Sequence, residues 1–393
     1  MTRKISLPFL KFLVVILAFQ DVAAGVAGSI MADLIEAFPD FSPTTVMLVA
    51  TIPGLFQIFP ALFYGKLTTV FKKRTLLFTG LIMFIVGGTA PFFLDNLPLI
   101  IATRAILGLG TGITIPLSVD IITDFFEGRE RDFLIGFGTS SIACIGAIFF
   151  QLVGGILADA YGWNYGFLTY LFPLWILAIT FLYLPEPEKK KAEEQTVKVK
   201  TPFRVYMPAL GQLLYSAMIY GYVINISVVI QAENLGTATQ AGLAISIYTL
   251  GTLLAGFVFG RYKHALPRVY IPLAILLTSF GMFFCYFSPT LMTIFFGSLI
   301  GGFGMGLGLP GIFAKVSELT PKGAPPAVGF VVVGQGLGGI VGPYIFEAVQ
   351  TIMNQDIGRF PLVVSAVGML ILAVVWGIIS LSGKTKQDMA VSA

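Results

Sequence analysis

The run Arg104 to Pro116, RAILGLGTGITIP, sets one arginine inside an apolar stretch and follows it with Gly108, Gly110, Gly112 and Pro116. Further along the chain, Gly301 to Pro310, GGFGMGLGLP, repeats the pattern with Gly302, Gly304, Gly306 and Pro310 in register. The arginine does not recur, and Ser298 stands in its place. Glycines at this spacing let neighbouring helices approach closely. A charge in hydrocarbon needs a partner or a wet cavity. The stretch therefore predicts a duplicated helical architecture carrying one asymmetric charge.

Composition agrees with an apolar setting. The 393 residues are 56% hydrophobic and 11% charged, with a mean hydropathy of +0.89. Soluble domains carry about 25% charged residues, so the chain reads as an all-α polytopic membrane protein. A membrane helix needs about 20 mostly apolar residues. On that measure there are twelve spans, at 8–31, 43–65, 74–94, 98–122, 133–157, 164–184, 204–230, 239–260, 267–287, 290–314, 326–349 and 360–382. The N-terminus begins like a signal peptide, but its apolar character runs past Asp21 to Met31. It reads as a retained first span.

Charge placement tests the count. With both termini cytoplasmic, all of the 24 Lys and Arg residues except Arg104 and Arg359 fall in inner segments. The positive-inside rule requires this bias, and a missed helix would scramble it. Outer loops instead carry Asp33, Glu36, Asp40, Asp95, Asp159, Glu233 and Asp356. The net charge of +4 thus follows from topology and calls for no nucleic-acid partner.

Pro185 to Thr201, PEPEKKKAEEQTVKVKT, is the longest polar stretch and reads as a solvated linker. A lipid-binding role for Lys189–Lys191 is the alternative. The expected organisation is a six-helix bundle over 1–184, a cytoplasmic linker over 185–203 and a second six-helix bundle over 204–393. Gly65 and Gly260 match between the halves, and Gly154-Gly155 and Gly342-Pro343 are looser counterparts. Two such halves related by an axis along the membrane normal are a transporter layout.

Several classes are excluded. Cys144 and Cys285 are separated, and the one histidine, His264, lies in a short polar loop. No disulfide, metal site or cofactor is expected, and an enzyme would need a denser cluster of His, Asp or Cys. No G-x-x-x-x-G-K-[ST] loop is present, so direct ATP drive by this chain is not expected.

At these residues the sequence resembles the major facilitator superfamily, in its twelve-helix drug-efflux-like branch. In the 2–3 loop Gly65, Leu67, Lys73 and Arg74 match the family's loop signature, while Thr69 replaces its aspartate and Lys72 its second glycine. Arg104 to Gly112 resembles the span 4 arginine-glycine motif, and Arg131 to Gly136 the approach to span 5. Phe150 to Gly155 resembles the antiporter signature without its Gly-Pro pair. The resemblance implies a rocker-switch carrier lined by spans 1, 4, 7 and 10. It also implies a latch in which Lys73 and Arg74 meet Asp120 and Asp124, with Gly65 and Arg131 as its other motif residues. Solvated helix ends are the plain alternative.

Two ionisable groups stand inside the spans. Counted at 1.5 Å per residue, Asp21 and Arg104 both fall in the outer half of the bilayer, and we expect them to pair. A carboxyl kept from water holds its proton, a nearby guanidinium drives it off, and parting the two would switch it. A static ion pair is the alternative, as is an arginine that grips a substrate anion. The second half carries Gln212, Tyr215, Tyr220, Tyr222 and Asn225 in span 7 and Tyr248 in span 8. Of these, Tyr215, Tyr220, Asn225 and Tyr248 are candidates for a substrate wall, with Gln20, Thr111, Gln151 and Gln335. Packing or interfacial tyrosines are the alternative. Glu347 reads as an interfacial carboxylate. The expected function is proton-coupled export of small apolar or cationic organic compounds by a plasma-membrane monomer. The alternative is an uptake permease for a small organic anion held by Arg104.

Overall fold

In a computed structural model, residues 6–21, 25–186, 205–320, 327–354 and 358–391 are described. Among them every regular element is a helix. They are α1 (Leu7–Ile16), α2 (Val26–Ser29), α3 (Met31–Ala37), α4 (Pro43–Phe56), α5 (Ile58–Val70), α6 (Lys73–Thr89), α7 (Leu97–Phe125), α8 (Gly128–Gly136), α9 (Ala143–Tyr161) and α10 (Leu174–Tyr183). The chain continues through α11 (Tyr206–Ala232), α12 (Ala238–Ala265), α13 (Tyr270–Phe287), α14 (Leu291–Leu319), α15 (Ala327–Met353) and α16 (Phe360–Val391). Tighter 3₁₀ turns cover Leu17–Gln20 and Trp163–Leu171, and a π-helical turn covers Phe137–Ile142. Below, inner and outer denote the helix ends assigned by the charge bias.

Eleven of the spans are long and apolar enough to cross a membrane among the described residues. The remaining span is the first, whose apolar helical part is the shorter Leu7–Gln20. Helical turns resume at Val26 and run to Ala37, beyond the expected end at Met31. Hydropathy missed this extension because it carries Asp33 and Glu36. Phe93, Phe257, Phe287 and Ile371 stand exposed on the helix exteriors, as a lipid-facing surface allows. Most of the linker expected over 185–203 lies outside the described residues, as do Lys189–Lys191.

The chain divides into two compact units. One contains Met1–Gln195 with Ile226–Ser246, and the other contains Thr196–Asn225 with Ile247–Ala393. The outer ends of α11 and α12 thus belong to the first unit.

The duplicated stretch is the repeat's clearest expression. α7 and α14 are each 29 residues long and each contains its proline, Pro116 or Pro310. Each also opens on a side-chain cap. Asn96 accepts from the Leu99 amide at 3.1 Å, and Thr290 accepts from the Thr293 amide at 3.4 Å. The glycines divide between two faces, because residues four apart share a helix face and those two apart do not. A Cβ at Gly108 or Gly112 would stand within 3 Å of the backbone of Pro53 or Gln57 on the second span. A Cβ at Gly110 would meet Gly80 and Phe84 of α6. In the second unit Gly302 and Gly306 likewise lie against Tyr248 and Thr252 of α12, and Gly304 against Thr278 of α13. Each run thus wedges one helix between two neighbours at backbone contact.

Gly112→Ala or Gly306→Ala should each cost about 1–3 kcal/mol through overpacking. Both should lower the melting temperature and the monodisperse yield in detergent. Gly65→Ala and Gly260→Ala face open space and should melt with the parent.

Candidate functional site

Arg104 is fully buried on α7. Its Nε donates to the Val49 carbonyl at 3.2 Å and its Nη2 to the Tyr170 hydroxyl at 2.8 Å. The guanidinium carbon lies 4.8 Å from the Tyr170 ring centre and 5.4 Å from that of Phe167. Ring quadrupoles and a carbonyl dipole thus surround the charge where a carboxylate was expected. Gly88 clears the space, since a Cβ there would run into the Tyr170 ring. Nη1 is buried without a partner.

The structure does not bring Asp21 to this arginine. Asp21 follows the 3₁₀ turn Leu17–Gln20, and its Oδ2 accepts from the Ser118 hydroxyl at 3.3 Å. Ser118 is about four turns, or about 21 Å, beyond Arg104 on the same helix. The sequence estimate of depth failed because the first span extends to Ala37, which sets Asp21 nearer its middle than its outer end. Oδ1 of Asp21 is buried without a hydrogen-bond partner. Among the described residues no Lys or Arg forms an ion pair with it. Gly146 of α9 helps to place this segment, because a Cβ there would overlap the Phe19 carbonyl.

In the second unit Tyr215, Tyr248 and Asn225 are buried, and Tyr222 joins Tyr248. The Tyr222 hydroxyl donates to Ser298 at 2.6 Å, and its ring stacks on Tyr248 with centres 4.8 Å apart. Tyr215 shares a 2.8 Å hydrogen bond with Thr278. Asn225 donates to the Gly221 carbonyl at 3.0 Å, while its own Oδ1 and the Tyr248 hydroxyl are buried and unpartnered. Ser298, the counterpart of Arg104, therefore meets a tyrosine too. Tyr220 packs against Gly339, and Gln335 is half-buried on α15. In the first unit Gln20 is buried and donates to the Leu17 carbonyl, and Thr111 donates back to Gly108 at 2.9 Å. Gln151 belongs elsewhere: its carbonyl accepts from Ser29 at 3.1 Å and its Oε1 from Ser246 at 3.4 Å.

Part of the expected inner latch forms. Lys73 Nζ lies 2.8 Å from Asp120 and 2.6 Å from Asp124, and Tyr64 donates to Asp120 at 2.7 Å. A lysine opening α6 and two carboxylates closing α7 each oppose their helix dipole, so the pairing offsets both. Arg74 turns away to the Phe181 carbonyl and lies over the Phe78 and Phe181 rings. Gly65 faces open space, and Arg131 lies within α8. The sequence reading missed a second brace. Glu318, in register with Asp124 in the repeat, pairs with Lys263 at 2.8 Å. The glycine alignment, carried eight residues past Pro116, would have found it. Arg359, the outer arginine, donates to the Cys285 and Tyr286 carbonyls and so closes the C-terminus of α13.

A duplicated set of close-packed helices with ionisable groups inside the spans defines a multi-pass membrane transporter rather than an enzyme. The chain belongs to the major facilitator superfamily, whose family profile matches residues 12–231 and 208–388. It is similar to Multidrug resistance protein 3 of Bacillus subtilis, 27% identical over 180 residues, covering 45% of this chain and 33% of that protein. It is also similar to the multidrug transporter protein MdtP of the same organism, 26% identical over 171 residues, with coverages of 43% and 31%. The niacin transporter NiaP of Acinetobacter baylyi is 24% identical over 168 residues, with coverages of 43% and 38%. The matches thus span about a third of the length of these curated relatives. Among solved structures, a bacterial homolog of the human lysosomal transporter Spinster superposes with a TM-score of 0.75 at 15% identity, covering 95% of this chain and 96% of that one. A peptide transporter in complex with alafosfalin gives 0.73 at 13%, covering 95% and 94%.

Tyr170→Phe leaves Nη2 of a buried guanidinium without its acceptor and should cost about 1–3 kcal/mol. Differential scanning fluorimetry should show a lowered melting temperature, and Phe167→Leu a smaller drop.

Proposed function

We propose that the protein is a proton-coupled exporter of small apolar or cationic organic compounds, working by alternating access across the plasma membrane. Asp21 carries the reading. Its carboxylate sits within a membrane span on one serine hydroxyl, with a bare, buried oxygen and, among the described residues, no cation paired to it. An ionised carboxylate in such a place has uncompensated charge. Either a proton or an organic cation removes that cost, so the two compete for one group, and this competition is the basis of exchange. Arg104 takes no part as the direct partner of Asp21. Held by Tyr170 and the Val49 carbonyl, it supplies a fixed positive charge further out, on the helix that also carries Ser118. The Bacillus relatives named for multidrug resistance and multidrug transport support the substrate class.

Asp21→Asn keeps the shape and removes the titration. In proteoliposomes with an imposed pH gradient, it should abolish gradient-driven movement of a fluorescent organic cation and leave gradient-independent exchange. Export by Asp21→Asn at the parent rate would sink the proposal.

A second reading is uptake of a small organic anion. The unpartnered Nη1 of Arg104 and the relative named for niacin transport favour it. Under that reading labelled nicotinate accumulates in vesicles, and Arg104→Lys, which loses the planar fork, reduces accumulation at least about tenfold. Absence of any accumulation by the parent rules it out.

A further inference from the structure

We infer that Asp33 and Asp159 are the two catches of an outer gate. They hold the outer ends of α11 and α12 to the first half and must release once in each transport cycle. The inference rests on the alternating-access reading above.

Asp159 lies exposed near the end of α9. Its Oδ1 accepts from the Ala238 amide at 3.0 Å and its Oδ2 from the Thr239 amide at 2.9 Å, and the Thr237 hydroxyl donates to it as well. These donors open α12, where first-turn amides have no partner in their own helix and the dipole favours a negative charge. The cap of α12 is therefore supplied by another helix from the opposite repeat. Asp33 makes the second catch, accepting from Gln231 on α11 at 2.9 Å.

Between the catches the seam is close and neutral. Ser227 donates to the Ser29 carbonyl at 3.0 Å and accepts from the Ala32 amide at 3.4 Å. Gly155 lies against the Ala238 carbonyl and Gly242 against that of Gln151, each too close for a Cβ. No Lys or Arg forms an ion pair across it among the described residues. Water can replace each of these hydrogen bonds when the helices part, and no buried charge is stranded.

Thr237 supplies a local substitute for the cap. Thr237-Ala-Thr-Gln240 has the spacing of a capping box, and the Thr237 amide already donates to Gln240 Oε1 at 2.8 Å. The Thr237 hydroxyl also lies 2.6 Å from Gln240 Oε1, so it keeps a partner in α12 once Asp159 withdraws and can turn a lone pair to the Gln240 amide. The α12 N-terminus then has one cap in the closed gate and another in the open gate, as a two-state element requires.

The test is external labelling of a single cysteine, Ser246→Cys, in a Cys144→Ser/Cys285→Ser background with a membrane-impermeant maleimide. It is read in proteoliposomes without substrate or gradient. Ser246 is buried in the seam against Gln151. Asp159→Ala should raise its labelling rate about tenfold and Asp33→Ala by a smaller factor, because Asp159 accepts from Thr237, Ala238 and Thr239 and Asp33 from Gln231 alone. Asp159→Asn, which keeps one carbonyl acceptor, should fall between Asp159→Ala and the parent. Should Asp159→Ala fail to fold, Thr237→Val and Gln231→Ala serve as milder variants, each expected to raise the rate severalfold. Parent-like labelling in variants that melt with the parent overturns the gate. Failure of the parent to move any compound would remove the transport reading and leave the labelling result as it stands.

Discussion

Backbone contact between helices, made possible by three glycines on alternating faces, is the constraint on which the rest of this structure depends. With Gly108 and Gly112 against the second span and Gly110 against α6, α7 is held at a fixed depth and rotation. Arg104 and Ser118 occupy that helix, so their facing is set by the same wedge. The second unit repeats the arrangement through Gly302, Gly304 and Gly306. In a bilayer no hydrophobic force drives helices together, and close approach with its dispersion and backbone contacts takes its place. The duplicated run belongs to architecture, and the chemistry is attached to it.

The two ionisable groups on this frame are treated oppositely. Arg104 is sealed, bonded through two of its nitrogens and faced by two rings. Its charge cannot easily move. Asp21 has one weak hydroxyl contact and a bare oxygen. An ionised carboxylate buried this way, with no cation beside it among the described residues, carries a desolvation cost that the hydroxyl contact only partly offsets. Arg104 and Ser118, the contact of Asp21, stand about 21 Å apart along α7, so the arginine does not compensate the carboxylate.

Polar contacts at the two ends of the helices follow different rules. Inner ends are braced within each half by ion pairs, Lys73 with Asp120 and Asp124, and Lys263 with Glu318. These pairs offset unfavourable charge–dipole contacts at helix termini. The outer ends of α11 and α12 are joined to the first half by hydrogen bonds from neutral donors to carboxylates and carbonyls. When such bonds part, water can take up both the donor and the acceptor.

Hydropathy and the glycine register were enough to read an all-helical membrane protein with a repeated helix, because each depends on residue type and spacing alone; among the described residues eleven spans and a shorter first apolar helix carry it. The Lys73 brace was expected only through the family resemblance, and solvated helix ends fitted the same charges equally well. The separation of Asp21 from Arg104 was not legible, because depth depends on where a helix ends, and the first span continues through Asp33 and Glu36 to Ala37. Nor could Tyr170 be read as the partner of Arg104, since a phenol and a carbonyl leave no charge signature. Asp33 and Asp159 passed as ordinary loop acids for a related reason. Their partners are neutral amides and hydroxyls far along the chain, and only the packing of α9 beside α12, and of the first span beside α11, brings them together. Sequence determined which residues cannot face water, and tertiary structure decided which polar groups meet once water is gone.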